Sequence, residues 1–111
     1  MLSKANRLSA KEFNLVVKTG REVYSPIFNI KYVPASDFKF SPSAPKKIFK
    51  TAVSRNRVRR RIYAAVRKII SKKNIKPNMI VLIVKKDIKD IDHFHLVGAT
   101  EELFVQARII A

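Results

Sequence analysis

Five arginines and one amide fall within seven residues, Arg55-Asn56-Arg57-Val58-Arg59-Arg60-Arg61. A guanidinium presents a planar fork that grips a phosphate through two N–H donors and can stack on a base, while Asn can donate to phosphate or pair with a base edge. A merely solvated helix face intersperses acids that form i,i+4 pairs, yet residues 53–73 contain no Asp or Glu. The repulsion between these like charges is unrelieved in the free chain, and bound phosphates would relieve it. Binding of a nucleic-acid backbone, driven by release of its counterions, is the chemistry this string suits best.

Other chemistry is thinly represented. Asp92-His93-Phe94-His95 resembles a short metal-ligand string, but no third cluster completes a ligand set, so no protein-held metal is expected. Glu12, Glu22 and Asp37 are isolated and the remaining acids crowd the C-terminal quarter, so no paired carboxylates or triad emerge. Gly20 and Gly98 are the only glycines, too few for a glycine-rich phosphate loop, and the absence of cysteine removes thiol catalysis and disulfides. No catalytic side chain is expected in this chain.

The global charge agrees with that reading. Lys and Arg number 24 against 8 acids, a net charge of +16, and residues 38–86 carry 16 of the bases with no acid, whereas residues 87–111 carry five acids and two bases. Such a molecule repels itself unless it works against a polyanion. At 111 residues and 47% hydrophobic, a single domain spanning 1–111 is expected. The longest apolar run, Met79 to Val84, is far too short to span a bilayer, so no membrane association is expected, and the lack of cysteine fits a reducing, cytoplasmic location. The basic, serine-containing start with Lys4, Arg7 and Lys11 could pass for a transit peptide, but Glu12 and the helix punctuation around it favour folded structure.

Positioning the basic string requires a helix. Ser9-Ala10-Lys11-Glu12 has capping-box spacing, Phe13, Val16 and Val17 recur on one face, and Gly20 supplies a stop, giving a first helix over about 10–19. Residues 27–33 alternate as a half-buried strand, with Phe28, Ile30 and Tyr32 inward and Asn29 and Lys31 outward. Pro34, Pro42 and Pro45 restrict any strand in 34–45 to an edge or an irregular path. A long helix is predicted over 53–72, capped by Ser54 or Thr51, with Val58, Ile62, Ala65 and Ile69 toward the core and Asn56, Arg60, Tyr63 and Arg67 opposite. Arg57 and Lys68 lie along one flank of that cationic face and Arg59 along the other. After Lys76-Pro77-Asn78, residues 79–84 read as a central strand, and a final amphipathic helix is predicted over 95–109, weakened early by Gly98.

Lys46-Lys47 followed by Arg55-Asn56-Arg57-Val58-Arg59-Arg60 resembles the signature of the bacterial ribonuclease P protein family, in which a Lys-Lys pair precedes an R-N-R-x-[KR]-R helix. Arg7-Leu8, Phe13, Gly20, the strands at 27–33 and 79–84 and the last helix follow in that family's order, so the resemblance covers roughly residues 5–107. It implies an α+β fold: a compact single-domain α/β sandwich like domain 2 of ribosomal protein S5, with a left-handed βαβ crossover carrying the basic helix, against the usual right-handed preference. It also implies a protein subunit whose partner, the ribonuclease P catalytic RNA with bound magnesium, removes the 5′ leader of precursor tRNA.

Carried over by position, Lys46, Lys47, Arg55, Asn56, Arg57, Arg59, Arg60, Arg61 and Arg67 would contact RNA, while Phe13, Val17, Asn29 and Lys31 would line a leader cleft between the first helix and the outer sheet face. The magnesium would be held mainly by the RNA. Simple core packing is the competing role for Phe13. Several positions depart from the family pattern. Val17 stands where a second aromatic is frequent, Lys31 where some members are aromatic or aliphatic, and Tyr63 where a further Arg is usual, with Arg61 as its possible substitute. The strand before Lys46 is usually glycine-containing and aliphatic, whereas here it reads Ser41-Pro42-Ser43-Ala44-Pro45. A ribosomal or other structural RNA-binding protein without turnover would explain the same charge. A membrane-surface binder fits less well, because the apolar stripe of the basic helix is narrow and a soluble core needs it.

Overall fold

The structure, a computed structural model, describes residues 6–110; Lys4 and the first residue of the family resemblance lie outside the described residues. The elements run α1 (Ala10–Thr19), β1 (Arg21–Tyr24), β2 (Phe28–Pro34), β3 (Lys39–Ser43), α2 (Ala52–Lys72), β4 (Asn78–Val84) and α3 (His93–Gln106). They form a mixed α+β domain around one four-stranded sheet, ordered β1-β2-β4-β3. The β1-β2 and β2-β4 pairs are antiparallel, and β3 pairs with β4 in parallel across the connection that α2 supplies.

Strand alternation divides the sheet into two unlike faces. Phe28, Ile30, Phe40, Ile80, Leu82 and Val84 point to one side, where α2 and α3 close the main core with Val58, Ile62, Ala65, Val66, Ile69, Leu96, Leu103 and Phe104. Phe40 meets Tyr63 and Phe104 edge-to-face, at centroid separations of 6.0 and 6.4 Å. Among the described residues the other side is covered by α1 and the segment leading into it, and the fully buried Val16 of α1 lies over a sheet whose fully buried outward residue is Val81.

Local chemistry sets the boundaries. In α1 the capping box forms as expected: the Ser9 hydroxyl accepts from the Glu12 N–H at 3.2 Å, and Glu12 accepts from the Ser9 N–H at 2.9 Å. Gly20 ends α1 for a reason different from a left-handed stop. Its backbone is extended, and an added Cβ would come within 2.5 Å of the Val16 carbonyl and about 3.1 Å of the Tyr32 backbone. The glycine permits close approach of the helix end to β2.

Thr51 caps α2, accepting from the Ser54 N–H at 3.1 Å, so the helix starts one residue earlier than its apolar period predicts. Asp92 caps α3 through the His95 N–H at 2.8 Å, and the helix stops before Arg108, which adopts φ 61°. The final helix therefore occupies 93–106, not 95–109. Strand β1 is an element that the sequence pattern does not announce. The segment 34–45 does contain an edge strand, as its prolines required.

Candidate nucleic-acid interface

Helix α2 is an amphipathic rod whose outer face is cationic along most of its length. Asn56, Arg57, Arg60, Arg67 and Lys68 are exposed there, while Val58, Ile62, Ala65, Val66 and Ile69 are buried against the sheet and α3. The first turn holds no acidic side chain, so the partial positive charge of the helix N-terminus adds to that of the arginines. Arg59 donates to the side-chain Oδ1 of Asn56 at 3.2 Å, fixing the amide beside the guanidinium. Arg55 donates to the Phe49 carbonyl at 3.0 Å and so ties the preceding turn to the helix. That turn is closed by the Ile48 and Phe49 N–H groups on the Pro45 carbonyl, and its exposed tip is Lys46-Lys47. The two lysines thus stand ahead of the α2 N-terminus, with Phe49 buried beneath them.

Two residues of α2 are placed differently from the sequence expectation. Tyr63 does not lie on the cationic face: it is only 7% exposed and packs against Phe40. Burial raises the pKa of its phenol, while the Ser41 hydroxyl, Arg7 and Arg59 act in the opposite direction. The apolar arc of α2 is therefore wider than the four-residue stripe suggested, because the helix touches the edge strand as well as α3. Arg61 points away from the exposed cations, donating to the Ile88 carbonyl at 2.6 Å and also to the Ile91 carbonyl. It fastens the β4–α3 connection to α2, so its guanidinium is engaged by the protein's own backbone and not free on the cationic face.

The outer sheet face forms a second surface. Strand register aligns Tyr24, Asn29, Ile83 and Ser43 in one row across all four strands, on the side that α1 only partly covers. Phe13 and Val17, both half-buried, flank Val16 on the side of α1 away from Glu12. Phe13 is thus neither a full core residue nor a free one. The Asn29 side-chain oxygen is buried without a hydrogen-bond partner, an acceptor that a donor could satisfy. Lys31 is partly committed, donating to the Val17 carbonyl at 3.0 Å and bracing the end of α1 against β2. Tyr24, 66% exposed, is an aromatic on this face that sequence reasoning misses, because β1 itself is not evident there.

Glu12 anchors the opposite flank of α1. Its bond to Lys39, 2.8 Å long, and the Ser9 N–H hold its carboxyl down at about 2. Among the described residues no three His, Cys, Asp or Glu side chains come together as a metal site. His95 instead joins Asp92 through both its N–H and its ring Nδ1, at 2.8 Å each. Among the described residues no helix is long and apolar enough to cross a membrane.

Comparison with known proteins agrees with this arrangement. The "Ribonuclease P protein component" of Rippkaea orientalis is 31% identical over 119 residues, covering 98% of this chain and 91% of that protein. A Staphylococcus aureus RNase P protein, a mutant with defective mRNA degradation activity, superposes with a TM-score of 0.80 at 23% identity, over 97% of this chain and 92% of that one. The RNase P protein of Thermotoga maritima gives 0.74 at 22% identity, over 87% and 93%. The Ribonuclease P family matches residues 2–108, the cationic and outer-sheet surfaces included, and the chain belongs to the ribonuclease P protein family.

Proposed function

We propose that this ribonuclease P protein subunit docks on the catalytic RNA through the outer face of α2 and the Lys46-Lys47 turn, and holds the 5′ leader of precursor tRNA against the outer sheet face. The observation that carries the reading is the acid-free helix with Asn56, Arg57, Arg60, Arg67 and Lys68 exposed on one side and a closed core on the other. A rigid rod of this kind presents donors at fixed spacing to phosphates, and each phosphate bound releases counterions. Arg55 and Arg59 act at its margin, where they also order the turn and Asn56. Phe13 and Tyr24 offer aromatic surface to unpaired bases, Val17 lies one turn along α1 from Phe13, and Asn29 shares the row of Tyr24 and Ile83. Recognition of this kind tolerates many leader sequences.

Hydrolysis of the phosphodiester is assigned to the RNA. The magnesium such chemistry uses does not fit this chain's own cationic surface, because residues 38–86 include no carboxylate and a hard divalent ion needs anionic oxygen. The ion belongs with RNA phosphates, and the chain's part is to bring the two RNAs together and lower their mutual repulsion, in the cytoplasm. Mixing the purified chain with a bacterial ribonuclease P RNA and a precursor tRNA at low magnesium tests this. Faster release of the leader is expected. Neither binding nor acceleration would overturn the proposal, and binding without acceleration would favour a structural RNA-binding role.

A further inference from the structure

Helices α2 and α3 meet along a groove of about 640 Å³ that opens beside the outer face of α2, floored by Ile69, Val97, Gly98 and Ala99. Lys68 and Lys72 stand on its α2 wall, and Phe94 rises from the α3 wall with 80% of its surface exposed, in edge contact with His95. A ring so exposed contributes little to the fold. Gly98 is equally unexplained by packing: it lies in the middle of α3 with negative φ, and an added Cβ would meet no atom within 4 Å. Glycine in a helix interior is less favourable than alanine, so this position forgoes helix stability where nothing crowds it. Its effect is to keep the groove floor low.

The charge around the groove selects among occupants. Lys68, Lys72, Lys73, His93 and His95 border it against Glu101 and Glu102, and Lys73 already offsets Glu101 at 3.6 Å. The groove also continues into the cationic face of α2, since Arg67, Lys68, Ser71 and His93 line the shallow depression next to it. An apolar floor, a free aromatic ring and lysines on the wall nearest the docked RNA suit a base with its phosphates, and suit an acidic peptide less well because carboxylate side chains have no flat face to lay on the ring.

We infer that this groove seats an unpaired nucleotide of the RNA bound along α2, its base against Phe94 and over Gly98, its phosphates on Lys68 and Lys72. The inference rests on the proposed docking of α2 and extends that footprint past Arg67 to α3.

Affinity for ribonuclease P RNA, measured with the full-length chain, tests it through three variants. Phe94→Ser removes the platform and Gly98→Leu fills the floor; each is expected to weaken binding at least about fivefold, the loss of one stacked base. Arg57→Ala with Arg60→Ala is the control for the docking reading itself. Circular dichroism checks that Gly98→Leu keeps its helices, and Phe94, being exposed, can be changed without that concern. If the arginine pair weakens binding while both groove variants stay within about twofold of the parent, the groove inference is wrong and the docking reading stands. If the arginine pair changes nothing, the docking reading fails and the groove inference with it. A photoreactive p-benzoylphenylalanine at position 94 should crosslink to the RNA in the assembled ribonucleoprotein, and capture of no RNA there would also overturn the inference.

Discussion

The two faces of the sheet have been put to opposite uses. Beneath α2 and α3, Phe28, Phe40 and Phe104 are fully buried, and Ile30, Ile80, Leu82 and Val84 join them in one core. On the outer face a single ten-residue helix rests mainly on Val16, and Phe13, Tyr24 and Asn29 are left partly open. Similar residue types therefore do different work according to the face they occupy: aromatics stabilise on one side and remain available to a ligand on the other. The same division runs around α2, where Arg60 is exposed and its neighbour Arg61 is held by two backbone carbonyls.

Breaking the core should have the largest effect. Phe40→Ala is expected to cost about 3–5 kcal/mol in denaturant unfolding, because it empties a fully buried site and removes two edge-to-face ring pairs. Phe13→Ala, on the other face, should cost far less stability and instead weaken binding of a leader-bearing precursor tRNA relative to mature tRNA. Equal destabilisation by the two substitutions would erase the contrast between faces.

The arginines of α2 sharpen the comparison. Arg57→Ala with Arg60→Ala should leave unfolding within about 0.5 kcal/mol of the parent, as expected of exposed positions. The same pair should reduce the log–log slope of RNA affinity against salt by about one unit for each phosphate no longer gripped. Arg61→Ala should behave the other way. Without its bonds to Ile88 and Ile91 the fold is expected to be less stable by about 1–3 kcal/mol, with the salt slope unchanged. A flattened slope for Arg61→Ala would return that residue to the RNA surface.

The smallest effect concerns pH. Glu12 is held near 2 in the folded chain by Lys39 first and the Ser9 N–H second, against an ordinary value of 4.5. A depressed carboxylate stabilises fully above its unfolded pKa, and the contribution disappears as pH falls from about 4.5 toward 2. Amide protection in α1 should therefore weaken over that window, and Glu12→Gln should weaken α1 at neutral pH and abolish the acid dependence.

Much of this fold is legible in the sequence because it is local. The α1 capping box, the long 3.6-residue period of α2 and the unbroken apolar run of β4 each declare themselves within a few residues. What escapes sequence reasoning is set outside the residue's own pattern, by a neighbouring strand or by partners far along the chain. Strand β1, Arg-Glu-Val-Tyr, shows no distinctive alternation and is held by pairing with β2. Helical periodicity puts Tyr63 on the wrong face because its neighbour is Phe40, on an edge strand 23 residues earlier. Arg61 looks like one more cation of the string, since the carbonyls it serves lie 27 and 30 residues away. The basic footprint itself is readable from composition alone, whereas its division into exposed and committed arginines requires the fold.

Pro42 matters beyond the strand that holds it. The sheet ends at β3 on one side and at the four-residue β1 on the other, and an exposed strand is an invitation to pair with a second chain. Pro42 has no N–H to offer such a visitor, and residues 6–8 already lie on the same strand, with Asn6 bonded to the Phe38 carbonyl and the Leu8 N–H to Ser41. With one border short and the other missing a donor and partly overlaid, sheet-to-sheet growth has no good starting point, and newly made copies awaiting RNA are protected from aggregating through their strand edges.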